Sequence, residues 1–224
     1  MARHLDLEEQ EQLDELKHFW KQWGNLITWF LIAVLGAFAA WNGWQYWQRQ
    51  QAVQAAVLYD EVERAVGSGD AARVEQAVKD VQDKFGRTAY AQQAALLGAK
   101  FLVQQGKADA ARAALQGVAE KAGDEGYQAL ARLRLAALLV EAKSYDEALK
   151  QLTDMPAAFE PLAADRRGDI LKLQGKNDQA KAEYTKAWQG LGADAQYRSL
   201  VEVKLTALGV DVQTLKAPAE TAKS

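Results

Sequence analysis

From Leu26 to Trp47 the chain carries 22 residues without a formal charge. Within Ile27 to Trp41, Thr28 is the only aliphatic residue with a hydrogen-bonding side chain. A helix rises 1.5 Å per residue, so this stretch spans about 33 Å, enough to cross hydrocarbon about 30 Å thick. Ahead of it, Leu13, Leu16, Trp20 and Trp23 recur at spacings of three or four, while Glu8, Glu11, Asp14 and Glu15 fall largely elsewhere. With Asp6 placed to cap and Glu9 as third residue, the pattern predicts a short amphipathic helix over 5–23. Beyond Trp47 there is no Gly or Pro until Gly67, and Ala52, Ala55, Ala56, Tyr59, Val62 and Val66 keep a helical period. The membrane helix is therefore expected to run on to residue 66.

The rest of the chain repeats itself, most visibly at its turns: Gly67-Ser68-Gly69-Asp70, Gly106-Lys107-Ala108-Asp109, Lys143-Ser144-Tyr145-Asp146 and Gly175-Lys176-Asn177-Asp178. Aligned on the first residue of each, the spacings are 39, 37 and 32. The helix before the turn then offers Ala99, Ala136 and Gly168 at one small position and Leu102, Leu139 and Leu171 three residues later. The helix after it offers Leu115, Leu152 and Tyr184. Small residues where backbones cross, with large ones beside them, describe antiparallel hairpins stacked on one another. In this alignment the first copy is degenerate, with Asp60 at the small position. The pattern resembles tetratricopeptide repeats, whose period is about 34. The expected helices lie near 70–84, 89–105, 108–121, 125–141, 145–153, 158–173, 176–189 and 194–208, with Pro156 and Pro161 marking one awkward junction. The fold class is all-α: a single N-terminal transmembrane helix followed by a tetratricopeptide-like solenoid. Its segments are a tail at 1–24, the span at 25–47, the repeat domain at 48–213 and a disordered tail at 214–224, which lacks large apolar residues from Lys216 on.

Tryptophan placement supports the span. Six of the seven Trp lie in or beside it, with Trp20 and Trp23 before it, Trp29 inside, and Trp41, Trp44 and Trp47 at its far end. The rings at the two ends suit the headgroup regions and make the lipid bilayer a partner. Two other readings of the stretch exist. Ala37-Phe38-Ala39 matches the cleavage pattern of a signal peptide, although the region before it is long and acidic. A buried soluble helix is the other, although such helices rarely carry aromatic girdles at both ends. Lys17, Lys21 and the more distant Arg3 on one side, against Arg49 and Arg64 on the other, put the short tail in the cytoplasm by a bias of about one charge. The tail itself either lies at the interface or docks a cytoplasmic partner.

Charge and chemistry narrow the function. Residues 1–47 hold three basic and six acidic residues, so the net −3 is local and the remainder is neutral at 24 against 24. A chain without basic excess lacks the footprint for phosphate backbones, and nucleic acid is not an expected partner. Cys is absent, and both His, His4 and His18, precede the span. The repeat domain thus lacks the usual acid–base residue and the usual zinc ligands, and no metal, cofactor or catalytic residue is assigned. Gly67-x-Gly69 follows a helix and reads as a turn rather than a phosphate loop. What such repeats do offer is a groove along the first helix of each pair. Its candidate lining is Gln93, Leu96 and Lys100, then Leu133 and Val140, then Asp165, Asp169 and Lys172. A mixed apolar and charged groove holds an extended peptide or a partner helix; the same residues serve equally well simply to cover the solenoid.

The N-terminal third carries a more specific likeness. An acidic tail with Leu13-Asp14-Glu15-Leu16-Lys17-His18-Phe19-Trp20, then Gly24, one Trp-bordered span, the exit Gln45-Tyr46-Trp47-Gln48-Arg49-Gln50-Gln51, Leu58-Tyr59 and helical repeats resembles the YfgM-like family, the ancillary subunits of the bacterial Sec translocon. The likeness covers nearly the whole length; Lys143, where the other turns carry Gly, is a departure. The residues favour a non-enzymatic adaptor, and the resemblance implies a single-pass inner-membrane protein with its tail in the cytoplasm and its repeats in the periplasm. It further implies the Sec translocon and a membrane-anchored periplasmic prolyl-isomerase chaperone as partners, and a part in passing secreted polypeptides to periplasmic chaperones. It also implies a link from residues 1–24 to a cytoplasmic stress-response regulator. The alternative from the residues alone is a scaffold subunit of another cell-envelope assembly.

Overall fold

The computed structural model describes residues 7–192 and 195–215. The expected cap at Asp6 and the tail from Lys216 on lie outside the described residues. Among those described, every regular element is helical: α1 (Leu7–Ser68), α2 (Ala71–Phe85), α3 (Ala89–Gln104), α4 (Ala108–Lys121), α5 (Glu125–Glu141), α6 (Tyr145–Gln151), α7 (Glu160–Leu173), α8 (Asn177–Gly190), α9 (Gln196–Ala207) and a short 3-10 turn, η1 (Val212–Thr214). The chain divides into two units, residues 1–51 and 52–224.

In the first unit the amphipathic helix expected over 5–23 and the span expected over 25–47 are one continuous helix, and α1 runs through Gly24. The physical reason is local. Trp20 lays its ring against Gly24, within 3.2 Å of where a Cβ would sit, and the Thr28 hydroxyl donates to the Gly24 carbonyl at 2.7 Å. A glycine flanked by residues that pack and bond along one helix costs only about 1 kcal/mol of helix propensity. From Leu13 onward α1 is long and apolar enough to cross a membrane, and almost none of its apolar window is covered by protein.

The second unit is built of hairpins. The close helix pairs are α2 with α3, α3 with α4, α4 with α5, α5 with α6, α7 with α8 and α8 with α9. The turns explain the period. Gly69, Gly106, Lys143, Gly175 and Gly209 all take positive φ, between 59° and 80°. At four of them the next N–H reaches back to a carbonyl five residues earlier: Lys107 to Leu102, Ser144 to Leu139, Lys176 to Leu171 and Val210 to Leu205. This is the bond that closes a helix on a left-handed residue.

These residues correct the alignment of the first copy. Its left-handed residue is Gly69 rather than Gly67, so the spacings become 37, 37, 32 and 34, and a fifth turn appears at Gly209. The small position of the first copy is then Val62, fully buried, and not Asp60, which is exposed. Counted from the corrected turns, Val62, Ala99, Ala136 and Gly168 form one buried column, while Val78, Leu115, Leu152 and Tyr184 form its counterpart on the second helices. Small residues are required where helices approach. A Cβ on Gly168 would lie 2.5 Å from the Tyr184 ring, and one on Gly98 would lie 2.3 Å from Val78 Cγ2.

The junction after α6 is held by Arg132 of α5. Its Nε donates to the Gln151 carbonyl at 2.8 Å, and its guanidinium also reaches the carbonyls of Thr153 and Asp154. The last carbonyls of a helix have no partner within it, so a guanidinium there takes the place of a longer final turn. This explains why α6 stops at Gln151, before the expected 153. Arg167 ties the next hairpin to the same place, bonding the Leu152 carbonyl, Glu160 and Glu183.

Candidate functional site

In each hairpin of the second unit the first helix buries one face against the second helix and turns the opposite face outward. On α3, α5 and α7 the inward columns are Ala99, Ala136 and Gly168 with Leu102, Leu139 and Leu171, all buried. A helix repeats every 3.6 residues, so residues about half a turn away form the outward face.

The structure distributes the candidate groove residues unequally over that face. Gln93 and Lys100 are exposed; Leu133 and Val140 are half-buried against the core, and Lys172 is exposed. Gln93 also joins two hairpins, its amide donating to the Tyr127 hydroxyl at 2.8 Å. Leu96 and Asp165 are corrected. Leu96 keeps 7% of its surface and belongs to the core, more deeply covered than Leu133 at the equivalent position of the next hairpin. Asp165 keeps 0% and does not line any open surface. It is covered by α9, whose Lys204 ammonium donates to both of its oxygens at 2.8 Å while the Tyr197 hydroxyl donates at 2.5 Å. Asp169 is half-withdrawn for the same reason, accepting from Lys204 at 2.9 Å and from the Tyr184 hydroxyl at 2.8 Å.

This polar cluster has a definite electrostatic character. Burial, with a hydrogen bond to Asp165, pushes the Tyr197 phenol far above its ordinary value, and burial with a hydrogen bond to Asp169 does the same to Tyr184. Both phenols stay protonated donors, which suits them to hold carboxylates and unsuits them as nucleophiles or bases. Among the described residues no three His, Cys, Asp or Glu side chains gather as a metal site would require.

The outward face also contains residues outside the candidate groove set. Sixteen residues before the left-handed turns at 106, 143 and 175 stand Tyr90, Tyr127 and Phe159. Tyr90 is 42% exposed, while Tyr127 and Phe159 are half-buried. Tyr90 pairs with Tyr59 of the preceding hairpin, ring centroids 6.1 Å apart. Leu97, Leu130 and Leu162 lie between them and the turns, also half-exposed. Nine residues before the turns at 143 and 175 stand two exposed arginines, Arg134 and Arg166. Aligning the three later turns is sufficient to find this aromatic column, which is the sequence signal for it.

In the first unit the girdle residues Trp20, Trp23, Trp41, Trp44 and Trp47 all point away from protein and are about half exposed, as is Trp29. Trp44 and Trp47 pack against each other with centroids 5.4 Å apart. Asn42, one turn before this cluster, satisfies its amide on the Phe38 carbonyl at 2.9 Å. It therefore adds no wholly unbonded amide to the apolar stretch.

Known proteins match this chain over most of its length. A family model described as a tetratricopeptide repeat-like domain matches residues 17–210. A Neisseria gonorrhoeae protein named ancillary SecYEG translocon subunit is 32% identical over 93% of this chain and 100% of its own length. Proteins of the same name from Haemophilus influenzae and Escherichia coli are 31% and 27% identical, over 82% and 90% of this chain and 90% and 97% of theirs. With the matched region running from the membrane helix through the last hairpin, the chain belongs to the family of these ancillary SecYEG translocon subunits, built on a tetratricopeptide repeat-like domain.

Proposed function

We propose that this chain is a membrane-anchored, non-enzymatic adaptor at the Sec translocon, which binds partner proteins and helps pass secreted polypeptides to periplasmic chaperones. The observation that carries the reading is that α1 alone supplies both an uncovered apolar stretch of membrane length and the first helix of a repeat stack. In this reading the apolar stretch anchors the chain and the repeats bind partner proteins. The name of the relatives, ancillary SecYEG translocon subunit, supports a role at the translocon; the prolyl-isomerase chaperone and the cytoplasmic regulator are partners implied by family likeness. In this reading residues 1–24 lie in the cytoplasm, residues 25–47 cross the inner membrane with the Trp residues at its two surfaces, and residues 48–213 work in the periplasm.

The contact surface is the outward face of α3, α5 and α7. Gln93, Lys100, Leu133, Val140 and Lys172 remain from the sequence-derived set, Asp169 contributes only its rim, and Tyr90 and Tyr127 supply the aromatic anchors. In-cell crosslinking of the full chain, read by mass spectrometry, tests the assignment. Translocon subunits and a membrane-anchored prolyl isomerase are the expected products. Recovery of division or pilus components without translocon subunits would replace it with the scaffold reading. A C-terminal reporter that works only outside the cytoplasm tests the topology; a well-expressed but inactive fusion reverses it.

A further inference from the structure

The outward face of α3, α5 and α7 carries an excess of cations, although residues 48–224 together are neutral. The helix α3 contains no Asp or Glu at all, and its single charge is the exposed Lys100. In α5 the carboxylates stand only at the two ends, Glu125 and Glu141, while Arg134 is exposed mid-helix and uses one N–H on the Leu96 carbonyl of α3 at 3.3 Å. In α7 both interior carboxylates are engaged by Lys204 from α9, so Arg166 faces outward with only a long 3.8 Å approach to Asp169. Lys100 and Arg134 have no carboxylate within ion-pair distance among the described residues; on the second helices Lys79, Lys181 and Lys186 each have one, while Lys84, Lys121 and Lys150 do not. Three neighbouring first helices present cations among half-exposed Tyr and Leu side chains.

Resting on the reading that this face binds polypeptide, we propose that its ligand is an acidic segment with interspersed apolar side chains. The carboxylates of that segment lie against Lys100, Arg134 and Arg166, and its apolar side chains lie against Tyr90, Tyr127 and Leu130. Charge complementarity selects this occupant. A guanidinium accepts a carboxylate in a two-pronged bond, and the row crosses three helices, the reach of an extended peptide. A basic or uncharged segment leaves these cations opposite nothing or opposite like charge, which costs affinity.

The test uses the full chain in phosphatidylcholine nanodiscs and three fluorescent twelve-residue peptides of shared Leu and Tyr pattern. One carries Glu and Asp, one carries Gln and Asn at the same places, and one carries Lys. The acidic peptide binds about tenfold tighter than the amide peptide at low salt, and the gap closes as salt screens it. Lys100→Glu and Arg134→Glu each remove that gap, while Arg134→Lys retains part of it and Lys150→Glu, on α6, changes nothing. Unchanged thermal melting certifies that each variant is folded. Equal binding of acidic and amide peptides sinks the charge proposal and leaves the polypeptide-binding face standing; no binding of any peptide sinks both. Retention of the gap in Arg134→Glu and Lys100→Glu moves the site elsewhere. Displacement of the acidic peptide by phosphatidylglycerol vesicles, at lipid concentrations where phosphatidylcholine vesicles do nothing, makes the face a lipid surface instead.

Discussion

Lys204 of α9 lies 2.8 Å from both carboxylate oxygens of Asp165 of α7, a side chain with no exposed surface. The pair closes the end of the repeat stack. Asp165 sits where the corresponding residues of earlier hairpins are Leu96 and Leu133, so one charge occupies a position the other copies fill with hydrocarbon. Removing its partner leaves a buried carboxylate with only the Tyr197 hydroxyl. Lys204→Met is expected to cost about 3 kcal/mol, whereas Lys204→Met with Asp165→Leu recovers most of it, because a well-packed apolar pair replaces a buried ion pair at little loss. Chemical denaturation of the full chain in micelles measures both, and equal loss in single and double variants would contradict the account.

The two buried phenols set an alkaline limit. Tyr184 and Tyr197 are raised above the ordinary 10.0, first by burial and then by their hydrogen bonds to Asp169 and Asp165. Above pH 10 the unfolded chain loses these protons while the folded chain keeps them, so stability is full below pH 10 and falls as pH rises beyond it. Thermal melts from pH 8 to 11.5 record the slope. Tyr184→Phe and Tyr197→Phe each flatten it, and a slope unaltered in the double variant rules the phenols out as its source.

Glu183 gives the opposite sign at acid pH. Burial pushes its carboxyl up, but hydrogen bonds from Lys186 and Arg167 outweigh burial and hold it below the ordinary 4.5. Its contribution is present above pH 4.5 and is lost as pH falls through the lower folded value. Glu183→Gln therefore narrows the stability difference between pH 6 and pH 3, as measured by denaturation midpoints at the two pH values.

Close helix approach gives a steric prediction. The Gly98 Cβ position is 2.3 Å from Val78 Cγ2. Gly98→Ala therefore costs about 1–3 kcal/mol by overpacking α2 against α3. Val78→Ala opens the space, and the double variant is expected to be less destabilised than the sum of the two singles. Additivity in that cycle would mean that the helices simply move apart.

Helix positions were legible in the sequence because punctuation and period agreed: Thr88 and Asp124 cap α3 and α5, and those helices start at residues 89 and 125 as expected. The family likeness was legible from the tail and span. The first turn was misaligned because Gly67-x-Gly69 offers two glycines, and only the backbone, with φ of 74° at Gly69, chooses between them. The groove expectation failed at Asp165 for another reason. Period alone places a residue on a helix face, but it does not say that α9 folds over that face of α7 and supplies a lysine from 39 residues away.

The membrane assignment is checked by extraction. A chain whose uncharged stretch lies in hydrocarbon stays in the pellet after an alkaline carbonate wash. Leu35→Arg with Val34→Arg, two charges at mid-span, costs several kcal/mol of insertion and shifts the chain toward the soluble fraction. Release of the unaltered chain by carbonate would end the anchored-adaptor reading.

Lys143 holds the turn position that is glycine in every other copy, at φ 59°. A side chain in the left-handed region costs about 1 kcal/mol. Nothing about the turn's hydrogen bond, Ser144 N–H to the Leu139 carbonyl at 2.8 Å, requires lysine. Lys143→Gly is therefore expected to stabilise the α5–α6 hairpin by roughly 0.5–1 kcal/mol, less than the strain relieved because glycine also gains freedom in the unfolded chain. Gly106→Ala, at φ 70° in the equivalent turn, is expected to destabilise by a similar amount. Denaturation midpoints of the two variants should move in opposite directions. A shift of both in the same direction would show that these turns are set by packing rather than by the backbone conformation of the residue itself.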